Sequence, residues 1–233
     1  MDIFFHRLAF FYFIVLDGCG FDLYISYVMY FIFISHFIFY LMTDNKIINK
    51  YIDLSELIQE EFERNAEKYG DKLKCRNGCS QCCSQIFRIT LLDAEIIKIH
   101  FRKLENTQQS ILKTKAENYI NKTGEFDIES EEYSKIPKIP CPALSENGSC
   151  MIYEARPVIC RRFGPPVFDY KNPEKLFACE LNFYGGEEII DELLIPNQTK
   201  IGKAWDELKT LFNSKNELNK NASATIAEAI KNS

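Results

Sequence analysis

The first 42 residues form the most apolar stretch of the chain. They are rich in Phe, Tyr and Ile and contain no lysine. The run from Leu23 to Met42 has no acidic side chain, lysine or arginine, and about twenty such residues can cross a bilayer as a helix. Two interpretations stay open. The segment is either a membrane anchor or an upstream extension of a protein whose translation starts at Met42.

Apolar residues recur at helical spacing over much of the remaining chain. Residues 53–56 have the spacing of a capping box and predict the start of a helix that ends near Gly70. Residues 90–93 predict the start of a second helix, with residues 107–120 as its continuation or as a third helix. Alternating patterns are rare, so we predict a mostly α, small irregular domain with little strand.

The second half of the chain is more interrupted. Residues 124–140 are acidic and contain two prolines, which predicts an extended connection. Residues 152–163 predict a short helix that carries Cys160, and helices are expected near residues 187–194, 200–212 and 222–230. The last of these is rich in Ala and weakly apolar, so we expect it to dock loosely.

These patterns divide the chain into three parts. Residues 1–42 are the apolar segment, residues 43–185 form a domain that contains most of the polar chemistry, and residues 186–233 form a helical tail. The net charge is −5, and no run of lysine or arginine occurs, so we expect no nucleic-acid partner. The chain has three histidines, His6, His36 and His100, which disfavours mixed Cys/His zinc sites and leaves no Ser–His–Asp set.

Cysteine is the residue type that carries the chemistry. Eight cysteines fall in two blocks after the apolar segment. Thiolates are the ligands that zinc and iron centres prefer, and four of them can hold one Zn²⁺ ion or one iron–sulfur cluster. We therefore predict a cysteine-ligated metal site that nucleates the domain, with an iron–sulfur cluster or Zn²⁺ as the cofactor. The predicted ligands are Cys75, Cys79, Cys82, Cys83, Cys141, Cys150, Cys160 and Cys179.

The spacing of the first block predicts a piece of helix entered from a turn. Cys79, Cys82 and Cys83 would then share one face, and Cys75 would fold over from the loop. The later cysteines are separated by eight, nine and eighteen residues, which is too far to close a compact site unaided. We expect them to fold back onto the first block and to form one composite site with it.

Two other interpretations of the cysteines stay open. An even number of cysteines in an exported domain would indicate a framework of disulfides. Cys75-x3-Cys79-x2-Cys82 also has the spacing of radical S-adenosylmethionine enzymes, although the strand–helix repeats of those enzymes do not follow it. Beyond the cysteine cluster we find no catalytic constellation, so enzymatic activity is left open.

Three motifs occupy the segment from Cys75 to Cys179. They are Cys75-x3-Cys79-x2-Cys82-Cys83, then Cys141-Pro-Ala-Leu144, then Gly148-Ser-Cys150-Met-Ile-Tyr153-Glu154-Ala-Arg156-Pro157-Val-Ile-Cys160-Arg161. With these motifs the segment resembles the YkgJ-type cysteine-cluster family of zinc- or iron-chelating proteins, and the resemblance extends to the cysteine-rich part of flagellin lysine methylases. It implies metal chelation, and in that light Arg156 and Arg161 would offset the negative charge of a thiolate site.

We therefore expect a cytoplasmic, metal-binding cysteine-cluster protein whose metal has a structural, chelating or electron-transfer role. The expected partner is a metal ion, and a membrane only if residues 1–42 are genuine, in which case Leu23 to Met42 would anchor the protein. The competing hypotheses are an enzyme whose iron–sulfur cluster activates a cofactor and an exported domain held by disulfides.

Overall fold

The computed structural model describes residues 21–124, 138–219 and 221–233, with side chains from Asn45 onward. The chain divides into two compact units, Met1–Lys46 and Ile47–Ser233. Most of the extended connection expected over residues 124–140 lies outside the described residues. The described part is mostly helical with little strand, which confirms the predicted fold class.

The first helix is far longer than the sequence predicted. Helix α1 spans Phe21–Tyr69, so the expected start at residues 53–56 is wrong. Asp53 is an exposed residue within the helix, because buried side chains continue at helical spacing on both sides of it. These side chains belong to Ile47, Tyr51, Leu54 and Ile58. The predicted end is confirmed, since Gly70 follows with φ of +50°.

The backbone from Leu23 to Met42 lies within helix α1, but the side chains of this run are outside the part that the structure describes. Among the helices whose side chains are described, none combines the length and the apolar character needed to cross a membrane.

Two further helices follow the first cysteine block. Strand β1 (Arg88–Thr90) leads into helix α2 (Leu91–Phe101), and helix α3 (Asn106–Thr123) is a separate element. The Thr90 side chain accepts a hydrogen bond from the backbone N–H of Asp93, and the Asp93 side chain accepts one from the N–H of Thr90. This reciprocal pair is a capping box, so the predicted helix start is confirmed.

The predicted helix over residues 152–163 is interrupted. A 3₁₀ turn at Tyr153–Ala155 precedes helix α4 (Val158–Arg162), and Pro157 separates the two. Proline is excluded from a helix interior but favoured beside its first turn, so the helix begins anew after it. Cys160 lies on α4, as expected. Strands β2 (Val167–Phe168) and β3 (Leu176–Phe177) then form an antiparallel pair.

Helix α5 (Leu194–Lys215) contains the predicted helix over residues 200–212. The helix expected over residues 187–194 is wrong, because residues 186–191 have no regular structure. This segment follows Gly186, whose φ is +75°, and the side chain of Ile190 is 68% exposed. Without a buried apolar face, a short helix gains too little free energy from tertiary packing to form.

The C-terminal segment docks tightly, contrary to expectation. Strand β4 (Ser223–Thr225) pairs antiparallel with β1, with Ile89 opposite Ala224. Helix α6 (Ile226–Lys231) then packs against α2 and α3. Ala227 and Ile230 are fully buried. The helix has few apolar residues, but they lie together on the side that packs against the core.

Two apolar cores hold the unit from Ile47 onward. The first is built by α2, α3, α6 and the segment around Ile152, and Cys141, Cys150 and Cys160 pack against its edge. The second joins α1 and α5 and includes Val158 of α4. Helix α4 therefore lies where the two cores meet, and Cys160 is held there.

Candidate metal site

The first cysteine block is a loop followed by a 3₁₀ turn. The turn spans Gln81–Ser84, where Cys83 N–H donates to Ser80 C=O at 2.9 Å. Cys79 precedes this turn, so the expectation that Cys79, Cys82 and Cys83 share an α-helical face is wrong. The backbone bends at Gly78, whose φ is +84°, and the short segment closes i→i+3 bonds instead of propagating a helix.

Main-chain hydrogen bonds connect the first block to Cys141 and Cys150. Cys141 N–H donates to Cys83 C=O at 2.7 Å. A turn then returns the chain, so that Leu144 and Cys150 form an isolated antiparallel bridge. The two cysteines of this turn are therefore fixed beside the 3₁₀ turn that carries Cys82 and Cys83.

Asn182 joins Cys75 to Cys179 at the other end of the site. Its side-chain amide donates to Gly164 C=O at 2.6 Å and to Cys75 Sγ at 3.6 Å. Its side-chain oxygen accepts from Lys74 N–H at 2.7 Å, and Cys179 N–H also donates to Gly164 C=O, at 3.0 Å. Cys75 of the first block and Cys179 of the second are thus held on the same small framework.

The thiols lie close enough to affect one another. Burial raises the pKa of Cys160 well above its usual value, and the neighbouring sulfurs of Cys141, Cys82 and Cys150 raise it further. Burial likewise raises the pKa of Cys141 to about 12. For Cys75, burial again raises the pKa, and the nearby sulfurs include one from each block, Cys79 and Cys179. Sulfurs of one block therefore raise the pKa values of thiols in the other.

Cys82 stands out within this group. The Cys83 thiol shares a hydrogen bond with it, which lowers the pKa of Cys82 and raises that of Cys83. The guanidinium of Arg156, which stacks 4.0 Å from the centre of the Tyr153 ring, lowers the pKa of Cys82 further. Its charge also acts to lower the pKa of Cys150. Arg156 therefore favours the negative form of both sulfurs.

Arg161 makes its hydrogen bonds to the backbone. Its Nε donates to Arg156 C=O at 2.9 Å, and a terminal nitrogen donates to Glu154 C=O at 2.6 Å. These bonds clamp the turn that precedes α4. Its positive charge also lowers the pKa of Cys150, as a smaller effect than burial. The role expected for Arg156 and Arg161 in offsetting a thiolate site stays a prediction.

The donor set fits a soft or borderline metal. Eight sulfurs and no histidine come from the two blocks, and each of these eight cysteines is a free thiol. Zinc and iron–sulfur centres are the usual occupants of all-sulfur sites. Over the described ranges, however, no three Cys, His, Asp or Glu side chains converge closely enough to hold a metal ion. The assignment of the eight cysteines as ligands therefore stays a prediction.

Sequence reasoning missed several residues that support this site. Asn182 and Gly164 hold Cys75, and neither belongs to a recognisable local motif. Tyr51 and Asp93 bind the backbone that leads into α4, with Asp93 accepting from Val158 N–H at 3.0 Å. The capping box identified Asp93 as part of a helix start. Its hydrogen bond to Val158 joins residues 65 positions apart in the chain, and no local pattern shows such a contact.

Comparison with known proteins agrees with the cysteine pattern. Residues 74–177 match the model of a family named CxxCxxCC and described as a "Putative zinc- or iron-chelating domain". This match confirms the resemblance to a cysteine-cluster family on the segment that carries it, and zinc or iron chelation is the role which that description gives. Cys179 lies two residues beyond the matched segment. No curated protein and no solved structure matches the chain.

Proposed function

We propose that the chain binds a zinc or iron centre through thiolates of both cysteine blocks in one composite site. The observation that carries this proposal is the pairing across blocks. Cys141 is hydrogen-bonded to the backbone of Cys83 at 2.7 Å, and Asn182 connects the surroundings of Cys75 and Cys179. In small metal-nucleated domains, metal binding and folding are coupled.

An iron–sulfur cluster is our first choice of cofactor, with Zn²⁺ second. All-cysteine ligation suits both. The number of cysteines exceeds the four that one zinc ion needs, and the adjacent pair Cys82 and Cys83 can serve two metal atoms of one cluster. Two centres side by side, one of them zinc, would also use the excess of sulfurs.

We assign the metal a structural, chelating or electron-transfer role. Hydrolytic catalysis would need a metal with an open position and a general base beside it, and the sequence offers no such constellation. We place the protein in the cytoplasm, where reducing conditions preserve thiols.

The test is anaerobic purification of the full chain, followed by elemental analysis, an absorption spectrum and titration of thiols under denaturing, non-reducing conditions. We expect iron with sulfur-to-iron absorption bands, together with reactive thiols. A colourless protein with stoichiometric zinc would retain chelation and reverse the order of the two cofactors. A protein without zinc, iron or reactive thiols would contradict the proposal.

A further inference from the structure

The carboxylate of Asp93 is buried and fully occupied by hydrogen bonds. The residue is 2% exposed. One oxygen, Oδ1, accepts from the Tyr51 hydroxyl at 2.8 Å and from Val158 N–H at 3.0 Å. The other, Oδ2, accepts from Thr90 N–H at 3.1 Å and from the Thr90 hydroxyl at 2.8 Å. Asp93 therefore joins three elements, because Tyr51 lies on α1 and Val158 begins α4.

The bond to Val158 matters because of what α4 carries. Val158 is the first residue of this short helix, and Cys160 lies two positions further on. The N–H groups of a first helical turn have no partner within the helix, so Asp93 supplies the one that Val158 needs. At a rise of about 1.5 Å per residue, Cys160 lies about 3 Å along the helix from this anchor. A shift of Val158 would move its sulfur directly.

The preceding backbone is fixed from the same side. The Tyr51 hydroxyl also lies 3.4 Å from Arg156 C=O, and the side chain of Arg161 binds that same carbonyl. The Tyr51 ring is buried and packs edge-on against Trp205 of α5, with ring centres 6.0 Å apart. The anchor of α4 is thus built on the second apolar core.

We infer that Asp93, held by Tyr51, is a positioning residue that sets the place of the Cys160 sulfur in the metal site. This inference rests on the proposed metal binding. Partners that orient metal ligands typically change affinity by about 10–100-fold when they are removed. If Asp93 only capped α2, its bond to Val158 would have no effect on the metal.

Asparagine at position 93 cannot replace the carboxylate. Each oxygen of Asp93 accepts from a backbone N–H, one from Thr90 and one from Val158. Whichever way an amide is turned, its NH₂ group would face one of these donors. Tyr51→Phe is milder, because it removes one hydroxyl and retains the ring against Trp205.

The chain offers a matched control in the capping box of α6. Glu228 there accepts from Thr225 N–H through one oxygen, Oε2, and Thr225 accepts from Glu228 N–H. Glu228→Gln is the same change from acid to amide at the same position of a Thr-capped helix. An amide oxygen can replace Oε2, and no cysteine-bearing helix depends on it.

The experiment measures Zn²⁺ affinity by competition with a chelator, and the absorption spectrum with Co²⁺ in place of zinc, for the full chain under anaerobic conditions. We expect Tyr51→Phe to bind Zn²⁺ about 10-fold more weakly, and Asp93→Asn more weakly still. The sulfur-to-cobalt bands should lose intensity in both variants. Glu228→Gln should match the wild type in affinity and spectrum.

Equal affinities and spectra for Tyr51→Phe and Glu228→Gln would overturn the inference and leave the proposed function standing. If Asp93→Asn does not fold, Tyr51→Phe decides alone. If the wild type binds no zinc, cobalt or iron, the proposed function fails, and alkylation of thiols in the metal-free chain becomes the test. Faster alkylation of Cys160 relative to Cys75 in Tyr51→Phe would then support the positioning role, and an unchanged ratio would overturn it.

Discussion

Gly164 lies where the candidate site has no room for a side chain. Its φ is +126°, and a Cβ atom there would lie 2.5 Å from Cys75 Sγ. Residues that have a side chain rarely adopt this backbone conformation, which costs about 1–3 kcal/mol for residues other than glycine. Gly164 C=O also accepts the hydrogen bonds from Cys179 and Asn182, so a shift at this residue would reach both Cys75 and Cys179.

We therefore expect Gly164→Ala to destabilise the metal-free chain by about 2 kcal/mol and to lower its metal content. Urea unfolding and elemental analysis measure the two effects. Gly70→Ala is the control, because Gly70 also has a positive φ but no atom lies within 4 Å of the added methyl group. If both variants retain equal metal, contact with Cys75 has no bearing on the site.

For individual residues, the sequence predicts the chemistry of the site better than it predicts the contacts that support the site. The clustering of Cys75, Cys79, Cys82 and Cys83 is visible in a single line of residues. Asn182 is not, because its partners Lys74 and Cys75 lie 108 and 107 residues away in the chain. A residue whose role depends only on tertiary contacts leaves no local spacing to recognise.

Among the secondary-structure elements, capping-box spacing predicted one helix start correctly and another wrongly. Residues 53–56 and residues 90–93 both have capping-box spacing, but only the second begins a helix. Buried residues such as Ile47 and Tyr51 continue the apolar face of α1 upstream of Asp53. The free energy gained from burying them outweighs what a helix cap at Asp53 would contribute. Thr90 is instead the last residue of strand β1, so its backbone is already extended and can cap α2.

The tight docking of α6 gives a prediction at the same scale. Ile230 is fully buried in the first core, whereas Ile190 is 68% exposed. We expect Ile230→Ala to lower the free energy of unfolding by about 3 kcal/mol through the cavity it leaves, and Ile190→Ala to change it by less than about 0.5 kcal/mol. Urea unfolding measures both. Equal small effects would mean that α6 docks loosely, as its sequence suggested.

An ion cluster ties α1 to the segment before α5. Arg64 contacts Glu61 at 2.8 Å and Asp191 at 2.7 Å, and the two carboxylate side chains are 6% and 1% exposed. Burial alone would raise the pKa of both carboxyls, but hydrogen bonds, chiefly from Arg64, outweigh it and leave both pKa values below their usual range. Each carboxyl therefore stabilises the fold above its unfolded pKa.

Arg64→Met should destabilise the chain by about 2 kcal/mol near neutral pH, because Glu61 loses its cation and Asp191 keeps only the longer contact with Lys68 at 3.4 Å. Since a lowered pKa contributes stability that is lost as pH falls through the folded value, the difference from the wild type should shrink below about pH 4. Urea unfolding across pH measures this. Lys209→Met, which removes a more exposed partner of Asp206, should cost less than about 0.5 kcal/mol. A difference for Arg64→Met that is independent of pH would contradict the assignment.

For the whole molecule, the central claim is that folding brings the two cysteine blocks into one metal site. The long separations among the later cysteines predicted this convergence, because those cysteines could not close a site alone. The sequence could not predict which contacts would support such a site. The supports are a strand pair between β1 and β4, a capped α4 and the framework around Asn182, all of which join residues far apart in the chain.

The most direct test is the zinc and iron content of the full chain, purified anaerobically as the wild type, as Cys160→Ser and as Cys19→Ser. Cys160 belongs to the later block, whereas Cys19 lies outside the segment that matches the chelating family. We predict bound zinc or iron in the wild type and in Cys19→Ser, and a clear loss of metal in Cys160→Ser. Equal metal content in Cys160→Ser and the wild type, or a wild type without either metal, would contradict it.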